Sequence, residues 1–182
     1  MMFITTTNFT NDAMQSNAQH LNSNMKRVFF TILCIVLSLS VNAQVSDANF
    51  IVDYSDVIIC GMDEPSFADM EEDWYKDKPE ISGKLIEKML DRMGNRIVFK
   101  KSSANTIKIS VHSITDNGKF VCDAVLLDPN QTTLVAVKNI DCSKGGTFGS
   151  KLHLMKEGAC KEGSRLGAAF MKEYKRYLSK HK

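Results

Sequence analysis

Ile107, Ile109 and Val111 alternate with Lys108, Ser110 and His112. Side chains of a strand point to opposite faces in turn. A strand that is apolar on one face only belongs to a sheet covered on one side, which is an antiparallel habit. Helices on one face are the economical cover for such a sheet, and two segments qualify. In the first, Ile81, Leu85, Ile86, Met89, Leu90 and Met93 recur at helical spacing. Asp77 can cap it, with Glu80 three residues on, Pro79 in the first turn and Gly94 as the stop. In the second, Leu166, Phe170, Tyr174, Tyr177 and Leu178 make one face. Gly163 and Gly167 lie four apart in it. Interior glycines weaken a helix, so this pair points to a close approach by another element.

The remaining apolar runs supply the sheet. NFIVDYSDVIICG, residues 49–61, is rich in β-branched and aromatic residues and reads as a first strand. The acidic stretch 62–79 reads as a loop with one helical turn, Trp74 anchoring it to the sheet. Ile97 to Phe99 is a short apolar piece before the alternating strand, and Asp116-Asn117-Gly118 is a turn. Residues 119–127 and 132–140 flank DPNQ as the arms of a hairpin, with Pro129 at the second position of a type I turn. The expected fold is α+β, a two-layer sandwich in the order β-α-β-β-β-α, with a mostly antiparallel sheet and two helices on one face.

The amino-terminal region is of another kind. Residues 1–24 are polar and without apolar period, and read as a disordered extension of the gene model. From Met25, Lys26 and Arg27 precede an apolar run from Val28 to Leu39, and Val41 and Ala43 provide the small residues of a cleavage site. That is the layout of a secretory signal peptide, residues 25–43, cut between Ala43 and Gln44. The run is too short for a good transmembrane helix, which needs ~20 residues. Cys34 lies in the middle of it, the wrong place for a lipid-modified cysteine. The expected product is a soluble exported domain, residues 44–182, periplasmic or extracellular, without a transmembrane segment after cleavage.

Charge in that product is unevenly spread. Residues 44–80 hold eleven acids against two bases, and residues 81–182 hold nine acids against nineteen bases. Either the acidic segment lies against the basic helix within one molecule, or the two faces serve partners. The bases are not interleaved with aromatics on one element, so no nucleic-acid interface is expected. Cys60, Cys122, Cys142 and Cys160 follow the signal. Export to an oxidising compartment makes disulfides and buried thiols equal alternatives, and four cysteines allow three full pairings.

GGTFGSK, Gly145, Gly146, Thr147, Phe148, Gly149, Ser150 and Lys151, invites a phosphate-loop reading. A phosphate loop needs Gly-x4-Gly-Lys-Ser/Thr. Here Gly145 and Gly149 are four apart and Ser150 precedes Lys151. No nucleotide is expected, and the stretch reads as a tight connection held to the core by Phe148. Asp69, Glu71, Glu72 and Asp73 lack the spaced ligands and central glycine of an EF-hand. Cys142, His153 and Cys160 match no standard metal spacing, so neither metal nor cofactor is expected.

With these residues in view, VDYSDVIICGMDEPSF, EEDWYKDKPEI and GGTFGSKLHLMKEG resemble a family of small exported proteins of Gram-negative gut-type bacteria. The marks are a Gly-Met-Glu loop, an Asp-Trp, a Lys-Pro-Glu helix start and a Gly-Gly-Thr-Phe-Gly loop. Here the first reads Gly61-Met62-Asp63-Glu64. The resemblance implies export and carries no catalytic residue across. The element order is also similar to envelope domains such as the amino-terminal domain of the Tol-Pal translocation protein. The expected function is a non-catalytic binding or assembly module whose partner is an envelope protein or component. Its contact residues are Asp69, Glu71, Glu72, Asp73 and Trp74 together with Gly145 to Lys151. The alternative is a small exported hydrolase or metal-dependent enzyme.

Overall fold

The chain divides into two units, Met1–Ala43 and Gln44–Lys182. The structure, a computed structural model, describes residues 45–141 and 145–181. The expected signal peptide, the expected cleavage between Ala43 and Gln44, and Cys142 lie outside the described residues. The sheet is α+β in setting and mixed in direction. Strands β5 (Thr106–Ile114), β6 (Phe120–Leu127) and β7 (Thr133–Asp141) form an antiparallel meander. Strand β1 (Asp47–Asp53) runs parallel to β5 on its other side, because a helical crossover separates them.

The expected first strand is broken in two. After β1 the chain turns at Tyr54–Val57 and resumes beside β5 as β2 (Ile58–Ile59), opposite Ser113 and Ile114. A short hairpin then adds β3 (Met62–Asp63), and β4 (Val98–Phe99) extends β1 on its far edge. These short strands add to the simple order read from the sequence.

Residues 62–79 are far more helical than a loop with one turn. Helix α1 (Glu64–Met70) is capped by Asp63, whose carboxylate accepts from the Ser66 N–H at 2.9 Å. Helix α2 (Trp74–Met93) begins at Trp74, not beyond Asp77, and Pro79 lies inside it. Trp74 is fully buried, edge-on to Phe67 and Tyr54, and its indole N–H donates to Glu64 at 2.8 Å. That burial draws an extra turn into the helix. The donor lost at Pro79 leaves unmatched the carbonyl of Tyr75, a residue open to solvent.

In β5 the buried residues run Ile107, Ile109, Val111 and then Ile114. A bulge between Val111 and Ser113 absorbs the extra residue, so alternation resumes one place later. Cys122, Ala124 and Leu126 of β6 and Val135 and Val137 of β7 continue the same buried face. The opposite face carries polar pairs, among them the Lys108–Asp53 salt bridge at 2.7 Å and His112 against Asp123 at 3.2 Å.

Helix α3 (Lys151–Lys180) begins immediately after the glycine-rich stretch. It runs parallel to α2: Lys156 meets Asp77 and Glu80, Gly163 meets Leu85, and Gly167 meets Met89. A Cβ on Gly163 would stand 2.3 Å from the Leu85 carbonyl oxygen, and one on Gly167 2.6 Å from that of Met89. The close approach expected from this glycine pair is therefore made on α2. Among the described residues, no helix is long and apolar enough to cross a membrane.

Two glycine-to-alanine changes should move stability in opposite directions. Gly83→Ala, on α2 with nothing within 4 Å of the added carbon, gains about 0.5–1 kcal/mol from helix propensity. Gly163→Ala forces the helices apart and loses about 1–3 kcal/mol from overpacking. Urea denaturation of both variants checks the signs, and a stabilising Gly163→Ala would contradict the packing.

Candidate functional site

The two stretches singled out in the sequence meet at one end of the molecule. Helix α1 ends at Glu71, whose N–H donates back to the Phe67 carbonyl at 2.9 Å. The Glu71 carboxylate pairs with Lys151 Nζ at 3.2 Å, and that ammonium stands 5.7 Å from the centre of the Phe67 ring. A residue from each stretch is thus tied to the other across eighty positions of sequence.

Around this pair the glycine-rich loop is fastened residue by residue. The Gly146 N–H donates to the Asn117 carbonyl at 2.6 Å, and Lys161 Nζ donates to the Gly145 carbonyl. The Thr147 N–H donates to Glu157 Oε2 at 2.8 Å, and Ser150 Oγ accepts from the His153 N–H at 3.3 Å to cap α3. Only glycine fits at position 145, since a Cβ there would lie 1.9 Å from the Asn117 oxygen. Gly149 takes φ +123°, a conformation L side chains rarely adopt.

Between these fixings Phe148 points outward. It is 87% exposed, which overturns the expectation that it anchors the loop to the core. Burying a phenylalanine contributes roughly 1.5–3 kcal/mol, and this molecule leaves that contribution unused. Met70, at the end of α1, is also exposed, at 63%. Trp74 goes the other way: fully buried, it has no surface for a partner and is a core residue. Asp69, Glu72 and Asp73 are exposed, Asp73 pairing with Lys76 at 3.3 Å.

Cys60 joins this end of the molecule from β2. Its φ is +54°, an uncommon setting for a residue with a side chain. Burial first, and then the hydrogen bond with Asp116, push its thiol up to about 12. The thiol is therefore protonated and a poor nucleophile at neutral pH. No disulfide joins any two of Cys60, Cys122 and Cys160. Among the described residues, no group of three or more His, Cys, Asp or Glu side chains is placed to hold a metal ion.

Of the residues that hold the loop, Asn117 was read only as part of a turn, and Glu157 and Lys161 were not singled out from the sequence. Glu157 and Lys161 do stand at i, i+4 spacing, which marks a helix face, but nothing in that spacing shows what the face holds. Comparison with protein-family models, curated proteins and solved structures gives no match. The surface has to be read from its own chemistry: a rigid loop, an exposed ring, a rim of carboxylates and no activated nucleophile among its described groups.

Two measurements check this site. Iodoacetamide at pH 8 should alkylate Cys60 at least about tenfold more slowly than an open cysteine, and Asp116→Asn should recover only part of the rate. An open-cysteine rate in the unmodified protein would contradict the assignment. The Glu157 carboxyl is held below the usual glutamate value, first by the Thr147 N–H. A lowered carboxyl stabilises the fold above its unfolded pKa, and that contribution is lost as pH falls through the folded one. The Thr147 amide resonance should therefore titrate with a midpoint below about 4.3.

Proposed function

We propose that this chain is an exported, non-catalytic binding module of the bacterial cell envelope, periplasmic or secreted, which engages an envelope protein or component through the Phe148 end of the fold. One observation carries the reading: Phe148 is exposed at 87% on a loop whose backbone is fastened on both sides of it. An aromatic held rigidly in solvent loses little conformational freedom on binding, and aromatic anchors dominate interface energies. The exposed carboxylates of Asp69, Glu72 and Asp73 supply a polar rim. Export follows from the signal-peptide layout of residues 25–43, and the family resemblance points the same way.

Crosslinking in intact cells, followed by purification and mass spectrometry, tests this. Phe148→Ser and Glu72→Lys should each reduce capture of the envelope partner severalfold. Melting temperature should stay within about 2 °C, because exposed substitutions stay within ±0.5 kcal/mol. Equal capture by both variants would remove the site. The same spectra should place the mature amino terminus at Gln44, and an amino terminus at Met1 or Met25 would remove the export reading.

A further inference from the structure

The far end of α3 carries a second surface. Strand β7 pairs with β6 alone among the described residues, none of which pairs with its outer edge. Along that edge lies a groove of about 640 Å³, floored by Leu134, Val135 and Ala136 and walled by Arg176, Tyr177 and Lys180 of α3. The helix rises ~1.5 Å per residue, which puts this groove roughly 35–40 Å along α3 from Lys151. It shares no residue with the Phe148 surface.

An antiparallel edge strand turns alternate N–H and C=O pairs outward, where they can bond another strand. Register shifts bracket Val135–Val137, so the regular stretch is short. Three charged groups line the groove, Glu173, Arg176 and Lys180, and cations are in excess on and beside it. Arg176 is paired with Glu173, but no carboxylate of the described residues pairs with Lys180, Lys175, Lys172 or Lys138. Two copies meeting edge to edge would bring these cations together, which disfavours self-pairing. A strand bearing carboxylates on its α3 side would meet Lys180 with attraction, while its apolar side chains on the other face find Leu134 and Ala136.

We propose that the groove between β7 and the carboxyl-terminal part of α3 binds an extended acidic peptide segment as an added strand. The backbone of β7 gives the affinity, and Lys180, the lining cation without a carboxylate partner, selects negative side chains. The binding is salt-dependent, because the selecting cation is exposed.

The test uses the untagged protein in the form its own cells yield. The probe is a fluorescein-labelled heptapeptide of alternating aspartate and valine, with lysine and valine as its counterpart. Anisotropy at low salt should show saturable binding of the aspartate peptide, at least tenfold tighter than the lysine one. Hydrogen–deuterium exchange should slow in residues 133–138. The Arg176→Glu/Lys180→Glu variant, checked for native circular dichroism, should reverse the preference, and Phe148→Ser should leave it unchanged. Lack of saturation at about 1 mM peptide, a Kd weaker than ~4 kcal/mol of binding, would overturn the proposal. So would protection falling outside β7, or sedimentation showing the edge occupied by a second copy. None of these results bears on Phe148, so the two surfaces stand or fall separately.

Discussion

The contact between α2 and α3 is the constraint on which the rest of the fold leans. Gly163 and Gly167 let the backbones at Leu85 and Met89 come within side-chain distance. With the helices that close, Ile81, Leu85 and Met89 share one buried layer with Ala159, Leu166 and Phe170. Interiors pack like organic crystals, so a layer this tight leaves little room for either helix to turn. The position of α3 then determines where its two ends fall, and each end carries one of the surfaces described above.

At the amino-terminal end a second set of close approaches repeats the device. A Cβ at Gly158 would clash with the Gly118 carbonyl, and the Asn117 oxygen lies against Gly145 and accepts from Gly146. The turn after β5, the glycine-rich loop and the first turns of α3 are thereby locked into one body. Phe148 stays exposed because the loop around it is held, since a slack loop would fold the ring onto the nearest apolar surface. The carboxyl-terminal end is secured by the buried Tyr174 hydroxyl, which donates to the Val45 carbonyl at 2.7 Å.

Much of this was legible in the sequence, and what was not has physical causes. Period-two alternation identified the covered sheet, period-3.6 spacing identified α2, and the four-residue glycine spacing announced a close approach by some other element. The bulge at Val111/Ser113 was hidden because Ser113 and Ile114 fit either register. Helix α2 started a turn early because a proline is ordinarily a boundary, and only the burial of Trp74 outweighs it. The direction of Phe148 was unreadable: a loop has no period, so an aromatic between glycines can turn in or out. The Glu71–Lys151 pair joined two stretches already under suspicion, but nothing short of the folded chain could bring them together.

Parallel packing of α2 and α3 has an electrical consequence. The amino termini of both helices point to one end, their partial positive charges add there, and their negative ends add at the other. Parallel neighbours repel each other through these dipoles. In α2 the side chains answer the dipole, with Asp73 and Asp77 at its start and Arg92 in its last turn; α3 has Lys180 in its last turn but begins on Lys151, which Glu71 pairs from α1. The neighbouring helix then supplies the counter-charge: Lys156 of α3 pairs with Asp77 and Glu80 at the start of α2, so the two parallel helices are bound by ion pairs at the end where their dipoles repel.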